Sequence, residues 1–290
     1  MRILIIGANG QLGSDLVPAV RASGDELISL THREVDICET VGVRETLQRH
    51  RPEVVINTAA YHKVDECEVN VERSFAVNGY GVRNLALACK ETGCALLHMS
   101  TDYVFGADVF RRTPYTESDA PGPINVYGIS KLAGEYLMRS ILDRYWIVRS
   151  SGLYGVAGAS GKGGNFIELM LRLAREGRDI KVVDDQTLSP TYTADLADKI
   201  VELAHTDSCG LYHVTSAGQC TWYEFACKIF ELEGLSPNVT PTTTAAFGAV
   251  ATRPTYSVLE NAALNALGID NLRLWEKALR DYLEARKGKK

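Results

Sequence analysis

Short apolar runs alternate with helix-period segments through the first half of the chain. The runs are residues 3–6, 27–30, 54–56, 95–99 and 146–148. They are apolar at consecutive positions and too short for helices, as expected of strands buried on both faces. Between them, residues 11–22, 40–50, 72–92 and 128–143 read as helices. This alternation predicts an α/β chain with a doubly wound parallel sheet. Ligands of such sheets bind at the carboxyl ends of the strands, near the point where strand order reverses. Attention therefore falls on residues 7–13, 31–33, 57–60 and 100–102, which follow the first four strands.

Beyond residue 149 the pattern changes. A glycine-rich loop at 155–164 precedes a helix near 165–176, a strand near 180–183 and a helix near 193–205. A strand at 211–214 and helices at 222–233 and 272–286 follow. Residues 234–258 have few periodic apolar positions and read as a loop over a cleft. The division this suggests is a nucleotide-binding domain of Rossmann type over 1–149, with 185–215 returning to it. A smaller C-terminal substrate-binding lobe would comprise 150–184 and 216–290. Glycines in the 155–164 loop would permit closure over a substrate and would equally permit plain disorder.

Composition narrows the class of function. The chain has 290 residues, 46% hydrophobic and 23% charged, with a net charge of −5. That balance argues against a nucleic-acid surface, which would want a basic stripe. No apolar stretch reaches the ~18 residues of a membrane span, and the start shows no signal-peptide pattern. Seven cysteines form no CxxC pair, which suits a reducing cytoplasm better than a metal cluster. The expected setting is cytoplasmic, with neither membrane nor nucleic acid as partner.

The glycines Gly7, Gly10 and Gly13, with Asn9, Gln11 and Leu12 between them, follow an apolar strand and open a helix. Glycine there permits a tight turn and close backbone approach to a pyrophosphate, which the helix N-terminus then faces. A purely structural strand–helix turn would use the same residues. After the second strand, Thr31, His32 and Arg33 offer no carboxylate to an adenosine ribose but two groups able to meet a 2′-phosphate, so NADPH as well as NADH is expected. Asp36 and Ile37 lie close enough to flank an adenine. Asn57, Ala59 and Ala60 follow the third strand. The charged segment from His62 to Glu66 reads as a solvated turn, with His62 near the cofactor.

Tyr127 and Lys131 are four residues apart and so share one helical face. A lysine ammonium beside a phenol favours phenolate, which predicts a Tyr127 pKa lowered from about 10. Tyr127 is then a candidate proton donor. Ser100, Thr101 and Asp102 end the fourth strand, where a hydroxyl would polarise a substrate carbonyl.

These residues carry a likeness. The chain resembles the extended short-chain dehydrogenase/reductases and, among them, the family of dTDP-4-dehydrorhamnose reductases. The resemblance spans nearly the whole length. It rests on Gly7-xx-Gly10-Gln11-Leu12-Gly13, Asn57-xx-Ala60, Ser100-Thr101-Asp102-Tyr103-Val104-Phe105 and Asn125-Val126-Tyr127-Gly128-xx-Lys131-Leu132-Ala133-Gly134-Glu135. Gly164-Asn165-Phe166, Asp185-Gln186-xxx-Pro190-Thr191 and Arg253-Pro254-xx-Ser257 extend it. It implies NAD(P)H-dependent reduction of the C4 ketone of a dTDP-sugar, with Tyr127, Lys131 and Thr101 catalytic. It further implies Asp102 against the sugar, and Asn165, Phe166 and Arg253 against the nucleotide. Gly10, Gln11, Leu12, Asp36, Ile37, Ala60, Tyr61 and His62 would line the cofactor. A homodimer is compatible with it.

Three departures stand out. Gly152 occupies the place of a family tryptophan beside the sugar. Asp15 matches one acid that joins subunits through magnesium in some members, but Ala194 replaces another, so no bridging metal is expected. Residues 253–257 read Arg-Pro-Thr-Tyr-Ser where the family has asparagine before the serine. Two other functions use the same scaffold: an epimerase or dehydratase that retains its NAD, and a non-catalytic NADP-binding regulatory subunit. A dehydratase would be expected to carry Asp-Glu after the hydroxyl residue, whereas Asp102 is followed by Tyr103.

Overall fold

The computed structural model describes residues 1–158 and 164–289. The first half runs β1 (Arg2–Ile6), α1 (Gln11–Ala22), β2 (Glu26–Leu30), α2 (Thr40–His50), β3 (Val54–Asn57), α3 (Val64–Val69), α4 (Val71–Phe75), a π-helical turn (Ala76–Gly81), α5 (Val82–Thr92), β4 (Ala95–Thr101), α6 (Val126–Arg139) and β5 (Tyr145–Ser150). The second half adds β6 (Leu153–Tyr154), α7 (Phe166–Arg175), β7 (Ile180–Val183), β8 (Thr187–Leu188), β9 (Thr191–Tyr192), α8 (Thr193–Ala204), β10 (Gly210–His213), β11 (Cys220–Thr221), α9 (Trp222–Leu232), β12 (Val239–Thr242), α10 (Thr244–Phe247), α11 (Ala262–Ala266) and α12 (Trp275–Ala285).

Among the described residues, β2, β1, β3, β4, β5 and β10 form, in that order, one parallel sheet. Ile5 sits opposite Ser29 and Ile56, Ile56 opposite Leu97, and Leu97 opposite Trp146. Alternate strand residues leave on opposite faces. Ile3, Ile5, Ile56 and Leu97 pack against Leu16 of α1 and Ile200 of α8. Leu4, Ile6, Val55 and Leu96 pack against Val43, Leu85 and Met138 on the other side. Two covered faces explain why consecutive strand positions are apolar. The expected doubly wound α/β fold is the observed one. Strand order reverses between β1 and β3, which opens a crevice at their carboxyl ends.

The smaller lobe has short strand pairs, β6 with β9, β7 with β12 and β8 with β11. Its aromatic core includes Tyr154, Phe225, Trp275 and Tyr282. Within the expected return segment 185–215, β8 and β9 pair inside this lobe. Only α8 and β10 rejoin the main sheet.

Several expectations for local structure need correction. The helix expected over 72–92 is divided, and α3 precedes it where a charged turn was expected. Asn70 leaves helical geometry between α3 and α4, at φ −107° and ψ 56°. The π-turn follows, where buried Asn78 accepts the Tyr61 amide and donates to the Tyr61 carbonyl and Ser130 Oγ. Asp65 and Glu66 stand in the first turn of α3, where negative charge suits the helix dipole. The loop expected over 234–258 holds β12, an edge strand that tolerates Pro241, and α10. Of the segment 155–164, residues 159–163 lie outside the described residues.

Candidate active site

A cleft of about 720 Å³ lies over the carboxyl ends of the central strands and reaches across to the smaller lobe. Its wall begins at the turn between β1 and α1, where Gly7, Asn9, Gly10, Gln11 and Leu12 face it. Gly7 has φ +82°, and a Cβ on Gly13 would lie 2.1 Å from the Gly7 carbonyl oxygen and 2.8 Å from Ala8 Cα. Gly13 thus stays behind the lining and lets the turn fold onto the helix. The N-terminus of α1 has no side-chain cap and no acidic residue in its first turn. Open amides and a positive dipole end suit a pyrophosphate, so these residues fit a dinucleotide.

Gly13→Ala must push backbone against backbone, a strain of about 1–3 kcal/mol. NADPH affinity should fall by about 5- to 150-fold, since 1.4 kcal/mol is tenfold in affinity. Fluorescence titration checks this, and an unchanged Kd would remove the turn from the binding site.

Further along the wall, His32, Asp36 and Ile37 line the cleft, but Thr31 and Arg33 do not. The turn folds on itself there: the Thr31 amide donates to Glu34, and exposed Arg33 donates its own amide to Thr31 Oγ1. The pair of groups expected to meet a 2′-phosphate therefore reduces to His32. Ala59, Ala60, Tyr61 and His62 also line the cleft. Asn57 does not; it is fully buried beneath them, and its Oδ1 accepts the Ala59 amide at 3.1 Å. Arg73 lines the cleft and stands over the Tyr61 ring at 5.4 Å. The sequence offered no signal for it, because α4 was read as part of a longer amphipathic helix.

Ser100, Thr101, Asp102, Tyr127 and Lys131 converge on the cleft floor. Asn125 caps α6 by accepting the Gly128 amide at 2.8 Å, which aims the first turn and its Tyr127 at the end of β4. The Tyr127 ring meets Tyr103 edge-on, centroids 5.9 Å apart. Thr101 Oγ1 donates to Asp102 Oδ1 at 3.1 Å and accepts the Tyr103 amide at 3.2 Å. Ser151 and Ser257 donate to Asp102 Oδ2 at 2.8 and 2.6 Å. Burial pushes the Asp102 carboxyl up to about 6, against the pull of these three hydroxyls.

The expected lowering of Tyr127 is not what this geometry produces. Burial pushes the phenol above its ordinary value, while hydrogen bonding with Thr101 works the other way. The cause is the direction of Lys131, whose Nζ donates to the Met99 carbonyl at 2.6 Å and contacts His98. Behind it, Arg149 Nε and Nη2 donate to Glu135 Oε1 and Oε2 at 2.9 and 2.6 Å, and Ser100 Oγ donates to Glu135 as well. This buried cluster ties α6 to β4 and β5.

On the lobe side, Gly152, Asn165 and Phe166 line the cleft. Gly152 has φ +55°, and a Cβ there would come within 2.7 Å of Leu188 Cδ1. A tryptophan in this backbone would be strained and would collide with Leu188. Asn165 is committed to structure: it accepts the Glu168 amide and donates to the Gly155 carbonyl and the Tyr282 hydroxyl. Arg253, expected to face a nucleotide, lies outside the lining. Its Nη1 and Nη2 donate to Asp65 at 3.2 and 2.9 Å, so α3 claims it. Arg172, Gln186 and Trp222 line the cleft instead, with Trp222 4.7 Å from Phe166 between ring centroids. Only Gln186 carried a sequence signal, in the Asp185-Gln186 motif.

Asp15 accepts from Thr193, and Ala194 packs in the lobe core. Among the described residues no group of three or more His, Cys, Asp or Glu is placed to hold a metal ion. No described helix is long and apolar enough to cross a membrane.

A family model described as "RmlD substrate binding domain" matches residues 1–287. The dTDP-4-dehydrorhamnose reductase of Streptomyces griseus is 42% identical over 98% of this chain and 93% of its own. The dTDP-4-keto-6-deoxy-D-glucose reductase of Streptomyces niveus is 40% identical over 96% and 95% of the two chains. The crystal structure of dTDP-4-dehydrorhamnose reductase from Bacillus anthracis, in complex with NADP, matches with a TM-score of 0.92. It is 40% identical and covers 98% of this chain and 99% of that one. A glycine turn at a strand-order switch, a Thr-Asp-Tyr-Lys floor and a likeness running end to end place this chain in the RmlD family, the dTDP-4-dehydrorhamnose reductases.

Proposed function

We propose that this protein is an NAD(P)H-dependent oxidoreductase that reduces the C4 ketone of dTDP-4-dehydro-L-rhamnose to dTDP-L-rhamnose. One observation carries the reading: Thr101, Asp102, Tyr127 and Lys131 share a single cleft with the glycine turn. Gly7, Gly10, Gln11 and Leu12 would hold the pyrophosphate, with Asp36 and Ile37 beside the adenosine. When bound, the nicotinamide supplies the hydride.

Tyr127 supplies the proton. Burial keeps its phenol protonated at neutral pH, so the donor is loaded when a ketone arrives. Thr101 stands between the phenol and Asp102, and when a ketone binds its hydroxyl hydrogen turns from Asp102 to the carbonyl oxygen and holds it toward Tyr127. Ser151 and Ser257 fix Asp102, which leaves Thr101 one defined geometry. Phe166 and Trp222 offer apolar faces to a base, and Arg172 offers a forked donor to a diphosphate.

A coupled assay tests this. dTDP-4-dehydro-L-rhamnose is made in situ and NADPH absorbance followed, with NADH in parallel. The expected result is loss of absorbance with both coenzymes, because the ribose edge of the cleft presents His32 and Asp36 together. Strict discrimination between the coenzymes would overturn the second part. No turnover, with NADPH binding shown separately, would point to another keto-sugar or to a non-catalytic binding protein.

A further inference from the structure

Beneath the cleft floor lie Asn57, His98 and Lys131, which are 0%, 0% and 2% exposed. They come from β3, β4 and α6. Asn57 Nδ2 is 3.1 Å from His98 Nδ1, and Lys131 Nζ is 3.2 Å from His98 Nε2. Nothing in the proposed reaction uses the histidine.

The direction of these hydrogen bonds is set from one end. Asn57 Oδ1 accepts the Ala59 backbone amide. Reversing the side-chain amide would set donor against donor, so the Asn57 NH₂ faces His98. His98 Nδ1 must then accept, and carries no hydrogen. An imidazolium would clash with the same NH₂, and burial holds the ring neutral. A neutral imidazole with a bare Nδ1 keeps its hydrogen on Nε2. That hydrogen points at Lys131 Nζ. An ammonium has three hydrogens and no lone pair, so only a neutral amine completes the contact while donating to the Met99 carbonyl.

We propose that the Asn57–His98 pair is a positioning device that docks Lys131 as a neutral amine and releases it when it takes up a proton. The proposal rests on hydrogen-bond polarity and extends the reductase reading without depending on it. Several groups act on Lys131. Burial lowers its midpoint to about 8, against the opposing charge of Glu135 one turn along α6. Glu135 is itself bound to Arg149 of β5. Tyr127 on α6 remains a neutral phenol, and Asp102 beyond β4 ionises above about 6. Above its midpoint the amine stays docked. Below it, the ammonium has only hydrogens to offer Nε2–H and must leave. Below the midpoint the cation is then free of the pair, while burial keeps Tyr127 a phenol.

The test uses wild-type protein labelled with ¹⁵N-histidine, with the His98 signal assigned by its absence in His98→Gln. Long-range ¹H–¹⁵N correlation at a pH well above the lysine midpoint should show a bare Nδ1 and a protonated Nε2. The ring signals should shift with a midpoint near 8 while the ring itself stays neutral. A hydrogen on Nδ1, or signals that do not move through that range, overturns the proposal. Asn57→Asp keeps the acceptor for Ala59 but replaces the NH₂ with an oxygen. It should move the hydrogen to Nδ1 and raise the Lys131 midpoint, read by ¹³Cε-lysine spectra, by about one unit or more, tenfold in proton affinity. An unchanged midpoint in folded Asn57→Asp also overturns it. Should that variant fail to fold, the wild-type tautomer decides alone. None of these spectra needs coenzyme or turnover, so their failure is separate from failure of the reductase reading.

Discussion

Tyr127→Phe should lower kcat by about 10²- to 10⁴-fold, the range contributed by one positioned proton donor, with NADPH affinity little changed. The substitution removes one oxygen from a ring already held by packing. The edge-on contact with Tyr103 survives, and so does the Asn125 cap that aims this turn of α6. The hydroxyl is the group placed beside Thr101 at the end of β4, and burial keeps it protonated. A phenylalanine cannot give the proton. Steady-state kinetics with the dTDP-keto-sugar, beside a binding titration with NADPH, separates the two effects. Retention of more than about a tenth of the wild-type kcat would sit outside the effect of losing a general acid and would reject Tyr127 in that role. A parallel loss of NADPH affinity would instead assign the residue to cofactor binding.

Arg149→Met should be the most damaging single change to stability. Arg149 and Glu135 are 2% and 1% exposed and joined by two hydrogen bonds. Removing the guanidinium leaves a buried carboxylate with only the Ser100 hydroxyl, and breaking such a pair costs about 3–5 kcal/mol. For a domain of this size the melting temperature should fall by something on the order of 10 °C. The double variant Glu135→Leu/Arg149→Met should recover much of the loss, since no charge is then stranded. Equal losses in the single and double variants would mean that shape, not charge, is what the pair contributes. The cluster also sets function, because Glu135 belongs to the helix that carries Tyr127 and Lys131. Part of the kcat of Arg149→Met should be lost even below its melting range.

Much of the fold was legible because its rules are local or periodic. The five runs of the nucleotide-binding half appear as strands within one or two residues at most boundaries, since doubly covered parallel strands must be apolar at every position. The glycine spacing announced the first turn, and Gly13 shows why: its missing Cβ is the space in which the Gly7 carbonyl lies. Less legible were elements defined by a partner. β12 has one clear apolar residue, Val239, and is a strand because β7 pairs with it. The π-turn exists because Asn78 reaches Tyr61 and Ser130, and neither lies within helical reach of it in sequence.

Fold class, family and the set of side chains available for chemistry were readable along the chain, because periodicity, turn glycines and motif spacing are properties of the chain. What those side chains can do was settled by the folded arrangement. It turned Arg253 away to Asp65, brought Arg73 and Arg172 to the cleft, and confined the ribose edge to His32 and Asp36. It also aimed Lys131 at His98 and Met99 rather than at Tyr127. Each of these depends on which group lies within about 3 Å in space, and on whether burial or a neighbouring charge dominates there. Spacing along the chain carries neither quantity.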